Sequence, residues 1–131
     1  MTESTYVLIV SSDLDFLQTL SQALAIDGFR AKTATNWVQA MTVSSNTPPA
    51  LILYEVRGMD EAVRGQLLAL RRANSEIPVL LLSSLDSAEL SEVEQAGLIA
   101  ASMMKPPHLG SLEECLERLG AKRQASTASR T

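Results

Sequence analysis

The sequence predicts a single α/β domain built on a doubly wound parallel sheet. Two observations carry that reading. Five short apolar runs alternate with five amphipathic stretches of helical spacing, and the first of the runs is continuous rather than alternating. Continuous runs suit strands covered on both faces. Short connections between such strands imply right-handed crossovers through helices.

The first run is Tyr6-Val7-Leu8-Ile9-Val10. Ser11, Ser12 and Asp13 follow as capping residues, and Phe16, Leu17, Leu20 and Leu24 then fall at helical spacing. Asp27-Gly28 ends that helix. Phe29 to Ala34 forms the second strand, with Arg30 and Lys32 pointing outward, and Asn36 caps a short helix carrying Trp37, Val38 and Met41. Thr47-Pro48-Pro49 closes that helix, and Ala50 to Glu55 makes the third strand. A helix from Glu61 to Ala73 presents Val63, Leu67, Leu68 and Leu70. The fourth strand is Ile77 to Leu82, followed by a helix from Ser87 to Ala96 that stops at Gly97. Strand five covers Ala100 to Met104, with Met103 and Met104 facing opposite sides. The last helix places Leu109, Leu112, Cys115, Leu116 and Leu119 on one face, and His108 is expected as a solvated loop residue. The domain is expected to occupy residues 1–120, with 121–131 a flexible tail or the start of a linker.

Composition narrows the function classes. The chain has 131 residues, 46% hydrophobic and 20% charged, so it is neither disordered nor short of material for a core. No apolar run is long enough to span a bilayer, and the N-terminus carries no secretory pattern. A lone cysteine, Cys115, points to a reduced, cytoplasmic protein and to core packing. The net charge of −4 argues against direct contact with nucleic acid. Dinucleotide, P-loop and nucleophile-elbow motifs are missing, as is any Cys/His metal spacing. No enzyme activity and no cofactor are therefore expected.

In a doubly wound sheet, ligands sit at the carboxyl ends of the strands. Those ends offer Ser11-Ser12-Asp13, Glu55, Ser83-Ser84 and Lys105. Together with Leu51-Ile52-Leu53-Tyr54-Glu55, Pro78-Val79-Leu80-Leu81-Leu82-Ser83 and Lys105-Pro106, this order resembles the receiver domain of bacterial response regulators, from about Tyr6 to Leu119. The resemblance implies a CheY-like, flavodoxin-like (βα)5 fold with strand order 2-1-3-4-5. It also implies a chemistry: an acid pair after strand one and an aspartate ending strand three hold Mg²⁺, and that aspartate accepts a phosphoryl group. A hydroxyl ending strand four and a lysine before proline then bind the phosphoryl oxygens.

This sequence keeps the last two parts, as Ser83 and Lys105, and departs at the others. Ser11 and Ser12 replace the acid pair, and Glu55 stands at the acceptor position. Serine hydroxyls are poor Mg²⁺ ligands, and Asp13 lies one residue late, where it caps the helix instead. The extra methylene of Glu55 displaces a nucleophile by roughly 1.5 Å. The loop after Glu55 is about two residues shorter than is usual in the family, and the switch position, usually aromatic, is Ser102. Pro106 is the cis-proline candidate by the same resemblance.

The reading is a degenerate receiver, acting without phosphorylation through protein contacts in a two-component-type system. Its partner would be another signalling protein or the output domain of a longer chain, with no membrane contact. Glu55 is expected to pair with Lys105. An acidic partner face is expected at Glu89, Glu92, Glu113 and Glu117, with Arg64, Arg71 and Arg72 outside it. Two alternatives stand beside this one: a conventional phosphate-accepting regulator using Glu55 or a nearby acid, and a small-molecule sensor using the strand-end crevice.

Overall fold

A computed structural model describes residues 6–57, 60–73, 76–83, 87–105 and 107–123, and for residues 87–90 the backbone alone. The elements follow strictly in βα order: β1 Tyr6–Val10, α1 Leu14–Ile26, β2 Arg30–Ala34, α2 Trp37–Asn46, β3 Leu51–Glu55, α3 Glu61–Ala73, β4 Val79–Ser83, α4 Ser87–Gln95, β5 Ala101–Met104 and α5 Leu109–Arg118. All neighbouring strands pair parallel, in the order β2-β1-β3-β4-β5. This is the expected doubly wound sheet.

The continuous apolar runs have a direct structural cause. Side chains alternate across a strand, so Leu8, Val10, Ile52, Val79 and Leu81 face one side with Ala40 of α2, Leu67 of α3 and Val93 of α4. Val7, Ile9, Leu51, Leu53, Leu80 and Leu82 face the other, where α1 and α5 contribute Leu17, Leu24, Leu112 and Leu116. Both faces are covered, and no residue of β1 or β4 can afford polarity until the strand end. Cys115 is buried in the second layer, as its place on the apolar stripe predicts. Met103 packs on that layer, whereas Met104 is exposed.

Local chemistry fixes the boundaries. Asp13 accepts from the Phe16 amide at 3.1 Å and caps α1, as expected. Asn36 does the same for α2, accepting from Gln39 at 2.8 Å. Gly28 and Gly97 take positive φ, 96° and 80°, where the chain turns after α1 and α4. Pro78 has no N–H to donate, so β4 starts at Val79 rather than Ile77, although the Pro78 carbonyl still accepts from Ile52 at 3.0 Å.

Two sets of contacts near the C-terminus go beyond the sequence reading. His108 is exposed and precedes α5, as expected of a solvated loop residue, and its Nδ1 also accepts from the Ser111 amide at 3.3 Å and caps the helix. The packed body also runs past Gly120. Ala121 is buried against Leu116 and its neighbours, and Arg123 forms an isolated antiparallel bridge with Phe29, just before β2. Edge strands expose unpaired backbone groups, and here the returning chain covers the start of the edge strand β2. Residues 124–131 lie outside the described part of the chain.

Candidate functional site at the carboxyl ends of the strands

Parallel register brings the four predicted strand ends to one edge of the sheet. Val10 lies beside Tyr54, Glu55 beside Leu82, and Ser83 beside Met104. Each of these strands therefore hands the polar residue at its carboxyl end to the same crevice. Ser11 is buried and its amide donates to the Ala34 carbonyl at 3.1 Å, while Ser12 is exposed. Ser83 is fully buried, and its carbonyl accepts from the Lys105 amide at 3.1 Å.

Glu55 is the centre of this arrangement. The Ser11 hydroxyl donates to Oε1 at 2.6 Å, and the Lys105 ammonium pairs with Oε2. The Ser11 oxygen in turn accepts from the Asp13 amide at 3.0 Å. A chain of contacts thus runs from the α1 cap through Ser11 and Glu55 to the end of β5. The expected Glu55–Lys105 pair forms, and Ser11 joins it as a donor that the sequence reading had treated only as a missing acid. The signal was present: a buried hydroxyl at a strand end needs a partner, and a carboxylate on the neighbouring strand supplies it.

The Mg²⁺ implied by the family does not fit this set. Its three carboxylate positions hold Ser11, Ser12 and Glu55, and both oxygens of the one acid are already engaged. Asp60 lies nearby, but its Oδ1 accepts from the Val63 amide at 2.9 Å. Among the described residues, no three His, Cys, Asp or Glu side chains gather as a metal set. Gly58 and Met59, in the shortened loop, lie outside the described residues, as does Pro106.

Beside Glu55 the crevice opens into a cavity of about 310 Å³, lined among others by Ser12, Trp37, Tyr54, Arg57 and Gln66. The Trp37 and Tyr54 rings meet with centroids 5.0 Å apart, tilted by 31°. The Tyr54 hydroxyl donates to Gln66 Oε1 at 2.6 Å. Burial, and secondarily the Asp60 charge, pushes the Tyr54 phenol above its usual range and keeps it a neutral donor. The sequence reading missed this aromatic wall. Its signal is that two of only five aromatics stand beside the strand ends, Tyr54 before Glu55 and Trp37 after the Asn36 cap.

Ser102 is half-buried beside Leu81. Its neighbours Ala101 and Met103 pack on the α1–α5 layer, so alternation turns Ser102 to the α4 side, with a hydroxyl and no ring. Of the expected partner face, Glu92 is exposed and lies 3.9 Å from Arg64, which was expected to stand apart from it. Glu113 is buried, and Glu117 is exposed but pairs with Arg123 at 2.8 Å. Neither is an open acid, because both serve contacts within the chain. The side chain of Glu89 lies outside the described part.

No family model matches the chain. It is 31% identical over 130 residues to the transcriptional regulatory protein PrrA of Mycobacterium tuberculosis and 29% identical over 129 residues to that of Mycobacterium leprae, covering 96% of this chain and 54% of each relative. The chain spans about half the length of the curated relatives it matches. Among solved structures, the Vibrio cholerae chemotaxis protein CheY4 superposes with a TM-score of 0.78 at 21% identity, over 89% of this chain and 99% of that one. The receiver domain of NtrX from Brucella abortus gives 0.74 at 19% identity, over 86% and 96%.

Strand order and covering helices define a flavodoxin-like parallel domain with its crevice at the strand ends. Within that class the fold is the CheY-like one, shared with the chemotaxis and receiver-domain structures on which the chain superposes. No helix among the described residues is long and apolar enough to cross a membrane.

Proposed function

We propose that this receiver domain serves two-component signalling through protein contacts, without running an aspartyl-phosphate cycle. The observation that carries the reading is the double engagement of Glu55, by Ser11 on Oε1 and Lys105 on Oε2. An attacking carboxylate needs a free oxygen in line with the phosphoryl donor and a dication to neutralise that donor. Here the free oxygen is taken and the donors for the dication are two hydroxyls. Lys105, which would bind a phosphoryl group in the family, is held on Glu55 instead.

Incubation with acetyl phosphate and Mg²⁺, read by intact mass, is expected to show no added phosphoryl group. A Mg²⁺-dependent gain of one such group on Glu55 would overturn the reading in favour of a conventional receiver. Glu55→Asp alone is expected to stay unmodified too, since Ser11 and Ser12 still supply no charge to the metal.

The partner is proposed to be a basic protein surface or output domain that meets α4. Glu92 and Glu94 are exposed there, and the α4 stretch from residue 87 to 95 carries no base. Charges at a rim act mainly on the rate of encounter, so Glu92→Lys with Glu94→Lys is expected to slow association about three- to tenfold at low salt. The effect should shrink near 0.5 M salt. A rate that ignores both changes would place the contact elsewhere.

The aromatic-walled cavity favours a second reading, a small-molecule sensor, since its volume reaches the lower end of ligand pockets. A metabolite screen by thermal shift separates the two: saturable stabilisation lost in Trp37→Ala supports the sensor.

A further inference from the structure

The corner where α1 ends, β2 begins and α5 turns away from the body holds a cluster the site above does not use. Arg123 reaches it from the returning chain. Its Nε donates to Glu117 Oε2 at 2.8 Å, one terminal nitrogen lies 3.4 Å from Glu113 Oε1, and the other donates to the Asp27 carbonyl at 3.4 Å. The guanidinium also lies over the Phe29 ring, 4.9 Å from its centroid. Four contacts to three elements converge on one side chain that remains 41% exposed. Glu113 beneath it is only 8% exposed, and with its carboxyl ionised Oε2 is buried without a hydrogen-bond partner.

We propose that this corner is a docking surface for the chain's own segment Ala121–Arg123, anchored by Arg123, and that it closes tightly only while Glu113 holds a proton. The balance of charges explains the condition. Glu113 faces the Asp27 carboxylate from α1, Glu117 from the next turn of α5, and Arg123 from the strap. Three acids against one base leave the closed corner with an excess of negative charge, half of it away from water. A proton on Glu113 removes one charge and lets the carboxyl donate to Asp27, which satisfies the orphan oxygen. Burial first, then the hydrogen bond to Asp27 and its charge, push the Glu113 carboxyl up to about 7, against the opposing pull of Arg123. Lifting the strap returns the carboxyl to water and towards its ordinary range.

The sign of the linkage follows. The closed state holds its proton to higher pH than the open one, so closure takes up a proton and is favoured at low pH. Opening grows as pH rises through neutrality, by at most about tenfold per unit for a single proton. The strap fixes where residues 121–123 sit against the corner, and pH sets how firmly.

Protection of the Arg123 Nε–H from solvent exchange, read by NMR on the full chain and corrected for intrinsic base catalysis, tests the proposal. Between pH 6.5 and 8 the opening equilibrium is expected to rise about three- to tenfold in the wild type. In Glu113→Gln, whose amide keeps the donor to Asp27, it is expected to stay flat and low. Opening that is independent of pH in the wild type, that decreases with pH, or that keeps the same pH dependence in Glu113→Gln would overturn the proton condition. As an independent check on the anchor, Arg123→Gln is expected to abolish contacts between residue 123 and the Phe29 ring at pH 6. Persistence of those contacts would show that Arg123 does not hold the strap.

Discussion

Replacing Lys105 by methionine is expected to lower stability by about 2–4 kcal/mol, roughly 6–15 °C in melting temperature for a domain of this size. The loss comes from what stays behind. Glu55 is 12% exposed and Lys105 23%, so removing the ammonium leaves a poorly hydrated carboxylate with Ser11 as its remaining donor. Uncompensated buried charge is more costly than the pair is stabilising. Glu55→Gln should therefore cost less than Lys105→Met, because an amide carbonyl still accepts from lysine and the ammonium lies nearer to water. Glu55→Ala should be worse than Glu55→Gln, since it strands both Ser11 and Lys105. Combining Lys105→Met with Glu55→Gln should recover part of the single loss, and the coupling measures the interaction directly. Chemical denaturation of the wild type and these four variants checks all of this. Additive losses would mean that the contact in the crevice carries no net stabilisation.

Most of that crevice was legible because Ser11, Glu55 and Ser83 each end a strand whose interior is uniformly apolar. Where a run such as Tyr6 to Val10 stops, the next polar side chain must sit at the sheet edge, and parallel order puts all such edges together. Ser11, Glu55 and Ser83 could be placed in that way, and Lys105 by the Lys105-Pro106 pair that closes strand five. The helix caps at Asp13 and Asn36 were equally local. The capping role of His108 was not legible because an imidazole is a less common cap than Asp or Asn, and the role depends on which ring nitrogen accepts.

The corner around Arg123 was illegible for a different reason. Its contacts join residues 96 positions apart, from Arg123 back to Asp27, and no local pattern connects them. Glu113 did leave a trace: it stands four residues after Leu109 and three before Leu116, on the apolar side of α5. Counting charge along the helix, rather than placing it by angle, assigned Glu113 to the surface. Glu117 does lie on the surface, as expected, but the strap pairs with it.

Stability should fall as pH rises from about 5 to 7.5 by an amount that Glu113→Gln abolishes. An ordinary paired carboxylate behaves in the opposite way: its folded-state value is depressed and its contribution is lost on acidification. Glu113 is raised, from an ordinary 4.5 to about 7. Below the unfolded value both states hold the proton and the group contributes no penalty. Between the two values the unfolded chain ionises while the folded one keeps its proton, so the unfolded state binds fewer protons and stability declines with pH. Above 7 both are ionised and the full penalty stands, with Oε2 buried and without a partner. The full shift would be larger, but the corner opens towards a half-exposed arginine, and solvent screening reduces the penalty to about 1–2 kcal/mol at pH 8. Glu113→Gln should therefore be more stable than wild type by that amount at pH 8 and nearly equal to it at pH 5. Taking the difference between the two proteins cancels every other titrating group that they share. A difference that is constant with pH, or one that favours the wild type at pH 8, would show that Glu113 is ionised in the folded chain throughout.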